Sequence, residues 1–379
     1  MSKSAKNIVL PHSQAKLDLY KAYLEKYLPI LSLAKGITKI NLYDIFCGIG
    51  LYDDGNIGSP LIAVNTINKT NELFDLKGWK RKSITLTIND GNSSKVEKVR
   101  NLLNETKISN CQISFNALDA NEMLEKVILE VNGFSSSERN LVFIDPYGYS
   151  EIDREKLIAL LNKGYTEIVL FLPVMQMYRF SEVAVNDFER KCYEDLRKFI
   201  NEFLPNSNEF DSVFDFINEV TTAFSFNGKY FSCSHYIERG KGNYYAVFFI
   251  TSHIYGLERM LEVKWNADPS KGKGFKPENW GLFEELRVDH NKKIQLEYLE
   301  KILIERLKQE TQSNVHLYYL ALANEFLPKH MNSVLKELKR KNKIITLNSK
   351  MEEQNFGNAT YIDYEHYKNK TELIFFKLK

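Results

Sequence analysis

Cysteine is scarce in this chain and poorly placed for metal or redox work. The four residues, Cys47, Cys111, Cys192 and Cys233, are scattered over 379 positions with no CxxC pair. That argues against a zinc ribbon or a disulfide framework and makes a reducing, cytoplasmic setting the expectation. No apolar run approaches the roughly 20 residues that cross a bilayer. The opening MSKSAKNIV lacks the apolar stretch of a secretory leader, so neither a membrane partner nor export is expected. A net charge of +2 points to no class of partner. Internal repeats and low-complexity tracts are also missing. What is present, 44% hydrophobic and 26% charged residues, belongs to an ordinary globular protein long enough for a full α/β core and one small domain.

Segments 41–47, 83–89, 111–117, 140–145 and 167–172 are apolar and β-prone, and helical periodicity fills the stretches between them. Helices are expected over 59–71, 94–103 and the run after Asp119, with another over 13–34 ahead of the first strand. This alternation predicts a doubly wound, mostly parallel Rossmann-type sheet. Residues 174–222 read as a helical insertion without strands. Then 229–238 and 243–251 flank Arg239-Gly240-Lys241-Gly242, a hairpin signal. A parallel sheet closed by one antiparallel hairpin is the methyltransferase version of the fold. Residues 1–280 are thus expected to form one domain, with a turn-rich loop over 266–280 at its end. An amphipathic helix over 281–309 lies in a connecting segment, 281–313. In 314–379, helices at 316–324 and 331–341, a turn at Pro328, and strands at 344–347 and 359–363 predict a winged helix-turn-helix.

The most informative stretch is NLYDIFCGIGLYDDGNIGSPLIAV, residues 41–64. It reads as a buried strand, a glycine turn and a helix whose start is marked by Ser59 as cap and Pro60 in the first turn. Such a unit binds adenosine-type cofactors in open α/β sheets. A dinucleotide site shows GxGxxG. Here the order is Asp44-x-Phe46-x-Gly48-x-Gly50, with the acid inside the strand, and this is similar to the first motif of S-adenosylmethionine (SAM) methyltransferases. Asp44 is expected to meet the substrate ammonium, directly or through water, with Gly48 and Gly50 facing the methionine and ribose. Asp90, after the second strand, offers two acceptors for ribose hydroxyls, although Asn89 competes for that role and Asp90 also suits a helix cap. Asp119, after the third strand, suits the adenine amine or the cap of the next helix.

Asp145-Pro146-Tyr147-Gly148 ends the fourth strand, at the carboxyl edge where such sheets bind ligands. Amino-group methyltransferases carry Asp/Asn-Pro-Pro-aromatic there, and this chain lacks the second proline. Asp145 and the Pro146 carbonyl are the candidates for orienting an acceptor, with Tyr147 as a wall. Residues 175–180 follow the fifth strand and suit either the cleft rim or the core. His235, Arg239, Lys241 and His253 mark the hairpin and its approaches without a defined role. No acid pair with a lysine stands at metal-holding spacing, so no metal site is expected. From Lys329 to Lys350 the only acid, Glu337, stands among seven Lys and Arg. Lys336, Lys339, Arg340 and Lys341 are therefore candidates for nucleic-acid phosphates, or for a solvated helix face.

Taken together, the helix with Lys16 and residues 20–24, DIFCGIGLYDDGNIGSPLIA, FIDPYG at 143–148, and more weakly FLPVMQMYRF and the hairpin followed by 253–256 resemble the three-Cys-motif partner proteins (TcmP) of bacteria and their phages. The resemblance covers roughly 12–265, with Cys47 replacing a common alanine. It implies a methyltransferase-like fold and an operon-encoded partner carrying three cysteines. The expectation is a SAM-dependent methyltransferase acting on nucleic acid. The alternative is a non-methylating nucleic-acid-binding adaptor for a partner enzyme, as in a mobile-element or phage-defence system.

Overall fold

The computed structural model describes residues 8–187, 189–205, 210–240, 242–275 and 284–379. Lys241, the end of the expected 266–280 loop and the start of the expected 281–309 helix lie outside the described residues. The chain divides into two units, Met1–Arg259 with Gly274–Pro277, and Met260–Lys273 with Glu278–Lys379.

The first unit opens with α1 (Pro11–Leu33) and continues through β1 (Lys39–Asp44), α2 (Ser59–Leu76), β2 (Ser83–Asn89), α3 (Ser93–Asn104) and β3 (Cys111–Asn116). There follow α4 (Ala120–Gly133), β4 (Glu138–Ile144), α5 (Arg154–Leu161), β5 (Thr166–Leu172), α6 (Val174–Asn186), α7 (Glu194–Phe203), α8 (Val213–Ala223), β6 (Phe231–Gly240) and β7 (Asn243–Thr251). Helix α9 (Ile254–Ala267) spans the division, and β8 (Gly274–Phe275) adds a last strand. The sheet order is β3-β2-β1-β4-β5-β7-β6-β8. The first five are parallel. β7 is antiparallel to both β5 and β6, and β8 is parallel to β6. β1, β4 and β5 are buried along nearly their whole length, as strands covered by helices on both faces must be. β1 ends at Asp44 rather than at 47, because the chain turns away ahead of Gly48.

All five parallel strands end on one edge. The strand order reverses between β1 and β4, which opens a crevice outside their carboxyl ends. Asp44 and Asp145 flank this switch point, with Asp44 level with Phe143 of β4. α1 covers the same region, where Tyr20 stacks on Phe143 with ring centroids 4.3 Å apart.

The second unit contains α10 (Glu284–Gln309), β9 (Gln312–Ser313), α11 (Asn314–Ala323), α12 (Pro328–Arg340), β10 (Ile344–Leu347), α13 (Tyr364–Lys368) and β11 (Phe375–Leu378). Its strands form an antiparallel sheet in the order β10-β11-β9. Two expectations are corrected here. Pro328 is not in the turn but in the first turn of α12, where its missing N–H is not needed. Residues 359–363 are not a strand. Tyr361 turns left-handed at φ +52° and Asp363 caps α13, accepting from the His366 N–H at 3.0 Å, so the partner of β10 is β11. Buried Asn314 fixes this arrangement, donating to the carbonyls of Tyr361 (2.9 Å) and Thr371 (3.1 Å).

Candidate cofactor and acceptor site

The glycines of the first motif divide their labour. Gly50 (φ +74°) is packed, and a Cβ there would lie 2.9 Å from Val99 Cγ2. The Gly58 N–H donates to the Gly50 carbonyl at 2.7 Å, and a Cβ on Gly58 would lie 3.3 Å from Gly50 Cα. These two glycines fold the 50–58 loop back on itself. Gly48 (φ +62°) differs, since a Cβ there meets nothing within 4 Å, which leaves open space beside the turn. The cap of α2 is Gly58. Ser59 is the first helical residue and makes no capping bond, a correction to the expected role of Ser59.

Asp44 is 1% exposed, and neither of its carboxylate oxygens has a hydrogen-bond partner. Ser59 and the Phe46 N–H lie near enough to favour the charged form, and Lys16 does so weakly. Burial outweighs them and, together with the nearby Asp145, pushes the carboxyl from its ordinary value up to about 7. A buried, unsatisfied carboxyl is costly in any protein, and this one lies at the switch point where open α/β sheets bind ligands. The pair of unpartnered oxygens and the free space at Gly48 fit the ammonium end of an amino-acid-bearing cofactor.

The other expected cofactor residues have varied surroundings. Asp90 is buried and accepts from the Gly48 N–H at 3.2 Å and the Asn92 N–H at 3.0 Å, with Lys95 Nζ at 3.4 Å from both oxygens. Asn89 is fully occupied in tying strand ends together. Its side chain donates to the carbonyls of Ile45 and Leu118, each at 3.1 Å, and accepts from the Leu118 N–H. Asp119 is exposed and caps α4, accepting from the Asn121 N–H at 2.9 Å. Phe46 is half-buried and packs against the apolar core.

On the β4 side, Asp145 is paired with Lys16 of α1. The Lys16 ammonium also lies 4.7 Å from the Phe171 ring centroid, with its side chain only 10% exposed. Pro146 is buried, whereas Tyr147 is exposed. The Tyr147 hydroxyl accepts from Lys95, whose ammonium is 4.8 Å from the Tyr147 ring centroid, so Lys95 joins Asp90 to Tyr147. The Tyr52 hydroxyl is pushed up by burial and by Asp145, Tyr147 and Asp44. Sequence reasoning did not assign site roles to Lys16, Tyr52 or Lys95. Lys16 and Lys95 sit on helices amid other charges, and only the folded chain brings Lys16 together with Asp44 and Asp145. Among the described residues, no group of three or more His, Cys, Asp and Glu side chains is placed to hold a metal. No described helix is long and apolar enough to cross a membrane.

In the second unit, Lys336, Lys339 and Arg340 of α12 line a groove of about 810 Å³ together with Asn355, Asn358 and Glu353. Arg340 and Lys341 are paired with Glu337. Lys339 reaches back to the Gly357 carbonyl at 3.3 Å. Lys336 is exposed.

No family model and no curated protein matches the sequence. Among solved structures, the chain is similar to WbdD at TM-score 0.34 and 12% identity, over 63% of this chain but only 40% of WbdD. It is similar to human methyltransferase-like protein 13 in complex with SAH at TM-score 0.28 and 10% identity, over 74% of this chain and 100% of that one. For mycolic acid cyclopropane synthase CmaA1 complexed with SAH and CTAB, the values are 0.26 and 11%, over 67% and 69%. At these values the likeness transfers no chemistry to the chain.

Proposed function

We propose that this protein is a SAM-dependent methyltransferase acting on nucleic acid. The observation that carries the reading is Asp44, a buried carboxyl with two unpartnered oxygens beside the open glycine turn. A cationic ligand satisfies it, and the sheet topology puts a ligand crevice beside it. Asp44 and the Gly48 turn would hold the amino-acid end of SAM, Asp90 the ribose and Asp119 the adenine. Bound there, SAM supplies an already activated methyl group, so the protein's task is alignment. Lys16 holds Asp145 in place, and Asp145 with the Pro146 carbonyl orients the acceptor. Tyr147, exposed and held by Lys95, forms a wall for it.

We read the second unit's order of helix, short strand, two helices, strand, loop, strand as a winged helix. Its basic groove, with Lys336 exposed, supports a nucleic-acid partner. Kinship with the TcmP family, an operon-encoded three-cysteine partner and a cytoplasmic setting complete the proposal on the strength of the sequence resemblance. One observation favours the rival, a non-methylating adaptor: Lys95 already engages Asp90 and Tyr147, and a ribose at Asp90 must compete with it. The test is methyl-labelled SAM offered with random-sequence RNA and DNA pools. Label in either pool that is lost in Asp145→Ala supports methyl transfer. Tight binding of a pool without label supports the adaptor.

A further inference from the structure

Around the Lys16 that pairs with Asp145, three rings stack in parallel. His12 of α1 lies 5.2 Å from Tyr245 of β7 at 11°, and Tyr245 lies 5.2 Å from Phe171 of β5 at 7°. One cation lies over an end ring of this stack and another bonds the middle ring. The Lys16 ammonium faces Phe171, and Arg239 at the end of β6 donates to the Tyr245 hydroxyl at 3.3 Å. His12 itself is 8% exposed. Its ring contacts Tyr245, and among the described residues neither ring nitrogen has a hydrogen-bond partner. The charged groups facing it are Arg239 and Lys16, and with burial they hold the imidazole below its ordinary value. Of the acids nearby, Asp145 is already paired with Lys16, and Asp54 accepts from the Val9 N–H at 2.9 Å, ahead of the helix.

The backbone adds to the same sign. α1 is a 23-residue helix that starts at Pro11, which has no N–H, and no side chain caps its first turn. Its N-terminal partial positive charge therefore emerges beside His12. The Arg239 and Lys16 cations, the buried His12 imidazole and the N-terminus of α1 converge here from α1 and β6, with Asp145 and Asp44 on the Lys16 side. Positive groups gathered in this way repel one another unless an anion joins them.

We infer that the first turn of α1, His12 and Arg239 form a phosphate-binding subsite on the acceptor side of the cleft, separate from the basic groove of the second unit. The inference deepens the proposed action on nucleic acid and rests on it for the source of the phosphate. The chemistry by itself fits a phosphodiester or a phosphorylated small molecule. A tetrahedral anion here accepts from the first-turn N–H groups and from the Arg239 fork. It also draws a proton onto His12. The phosphate is not consumed; it anchors the substrate so that its acceptor group reaches Asp145.

The test uses the full chain without cofactor, labelled with ¹³C at histidine, with the His12 signal assigned by His12→Gln. Inorganic phosphate and an octathymidylate lacking a terminal phosphate are titrated separately. The expectation is that each moves the His12 signal toward the protonated form, and that Arg239→Gln weakens both by about tenfold or more, a factor worth about 1.4 kcal/mol. Because Arg239 is exposed, this variant keeps its fold. A response to the octathymidylate at concentrations well below those needed for phosphate assigns the site to a nucleic-acid backbone. A response to phosphate alone assigns it to a small phosphorylated molecule and removes the nucleic-acid source. A His12 signal moved by neither probe overturns the inference, as does unchanged affinity in Arg239→Gln. SAM binding, measured on the same samples, reports separately on the methyltransferase reading.

Discussion

Replacing Asp44 by Asn should make the protein more stable at high pH while abolishing the proposed SAM binding. In the folded chain the Asp44 carboxyl holds its proton up to about pH 7, because burial opposes the charge. The unfolded chain releases it near 3.8. Between these values the folded state binds more protons than the unfolded state, so stability falls as pH rises, and the loss is complete above pH 7. At 1.36 kcal/mol for each pH unit of difference, the loss amounts to about 4 kcal/mol, an upper figure because a buried charge recruits some hydration. Asn cannot ionise and escapes the loss. Urea unfolding should therefore show the Asn variant within about 1 kcal/mol of the parent at pH 4 and more stable by up to about 4 kcal/mol at pH 8. Glu167 is also raised to about 7 by burial, despite accepting from Tyr23 at 2.5 Å. It is common to both proteins and cancels in the difference. A gap that does not change with pH, or a variant less stable at pH 8, would refute a desolvated, unpartnered Asp44. A residue kept at this expense to stability is one that function retains.

Three more outcomes follow from the geometry. Gly50→Ala combines a left-handed backbone with a close approach to Val99 and should lose about 2–3 kcal/mol of stability, against about 1 for Gly48→Ala; the denaturant midpoints of the two variants measure it. Gly48→Ala should nevertheless bind SAM more weakly, since its methyl enters the free space at the turn. Lys16→Met strands Asp145 and should lose about 2 kcal/mol, with Asp145→Asn in the same chain recovering at least half, which a double-mutant cycle reads directly. In the second unit, Lys336→Gln should reduce the salt dependence of oligonucleotide binding by about one unit of slope, while Lys341→Gln, whose lysine is already tied to Glu337, changes it less. Anisotropy titrations over a salt series distinguish the two.

The sheet was legible because its strands are β-prone, near-continuous apolar runs in β4 and β5 and alternating ones in β2 and β3, separated by helical periodicity. The hairpin announced itself through Gly240 and Gly242 between two aromatic strands. The strand at 359–363 was misread because Ala-Thr-Tyr-Ile-Asp has strand-like composition, whereas Asn314, far off in sequence, captures the Tyr361 carbonyl and bends the chain there. β8 is only two residues long and carries no periodic signal. Within the site, the glycine motif marks the turn that follows β1. It did not show that Gly50 and Gly58 serve each other, which only the 2.7 Å backbone bond reveals. Lys16 and Lys95 gain meaning from partners more than fifty residues away, beyond the reach of any local pattern. His12 lies just outside the helix expected over 13–34, and its contact with Tyr245 comes from far along the chain.

The central claim is that Asp44 and the glycine turn bind SAM, and calorimetric titration of the purified chain at pH 8, beside Asp44→Asn, tests it most directly. The account predicts micromolar binding by the parent, abolished in a variant that unfolds no earlier. An absence of binding by the folded parent, or equal binding by the variant, would contradict it.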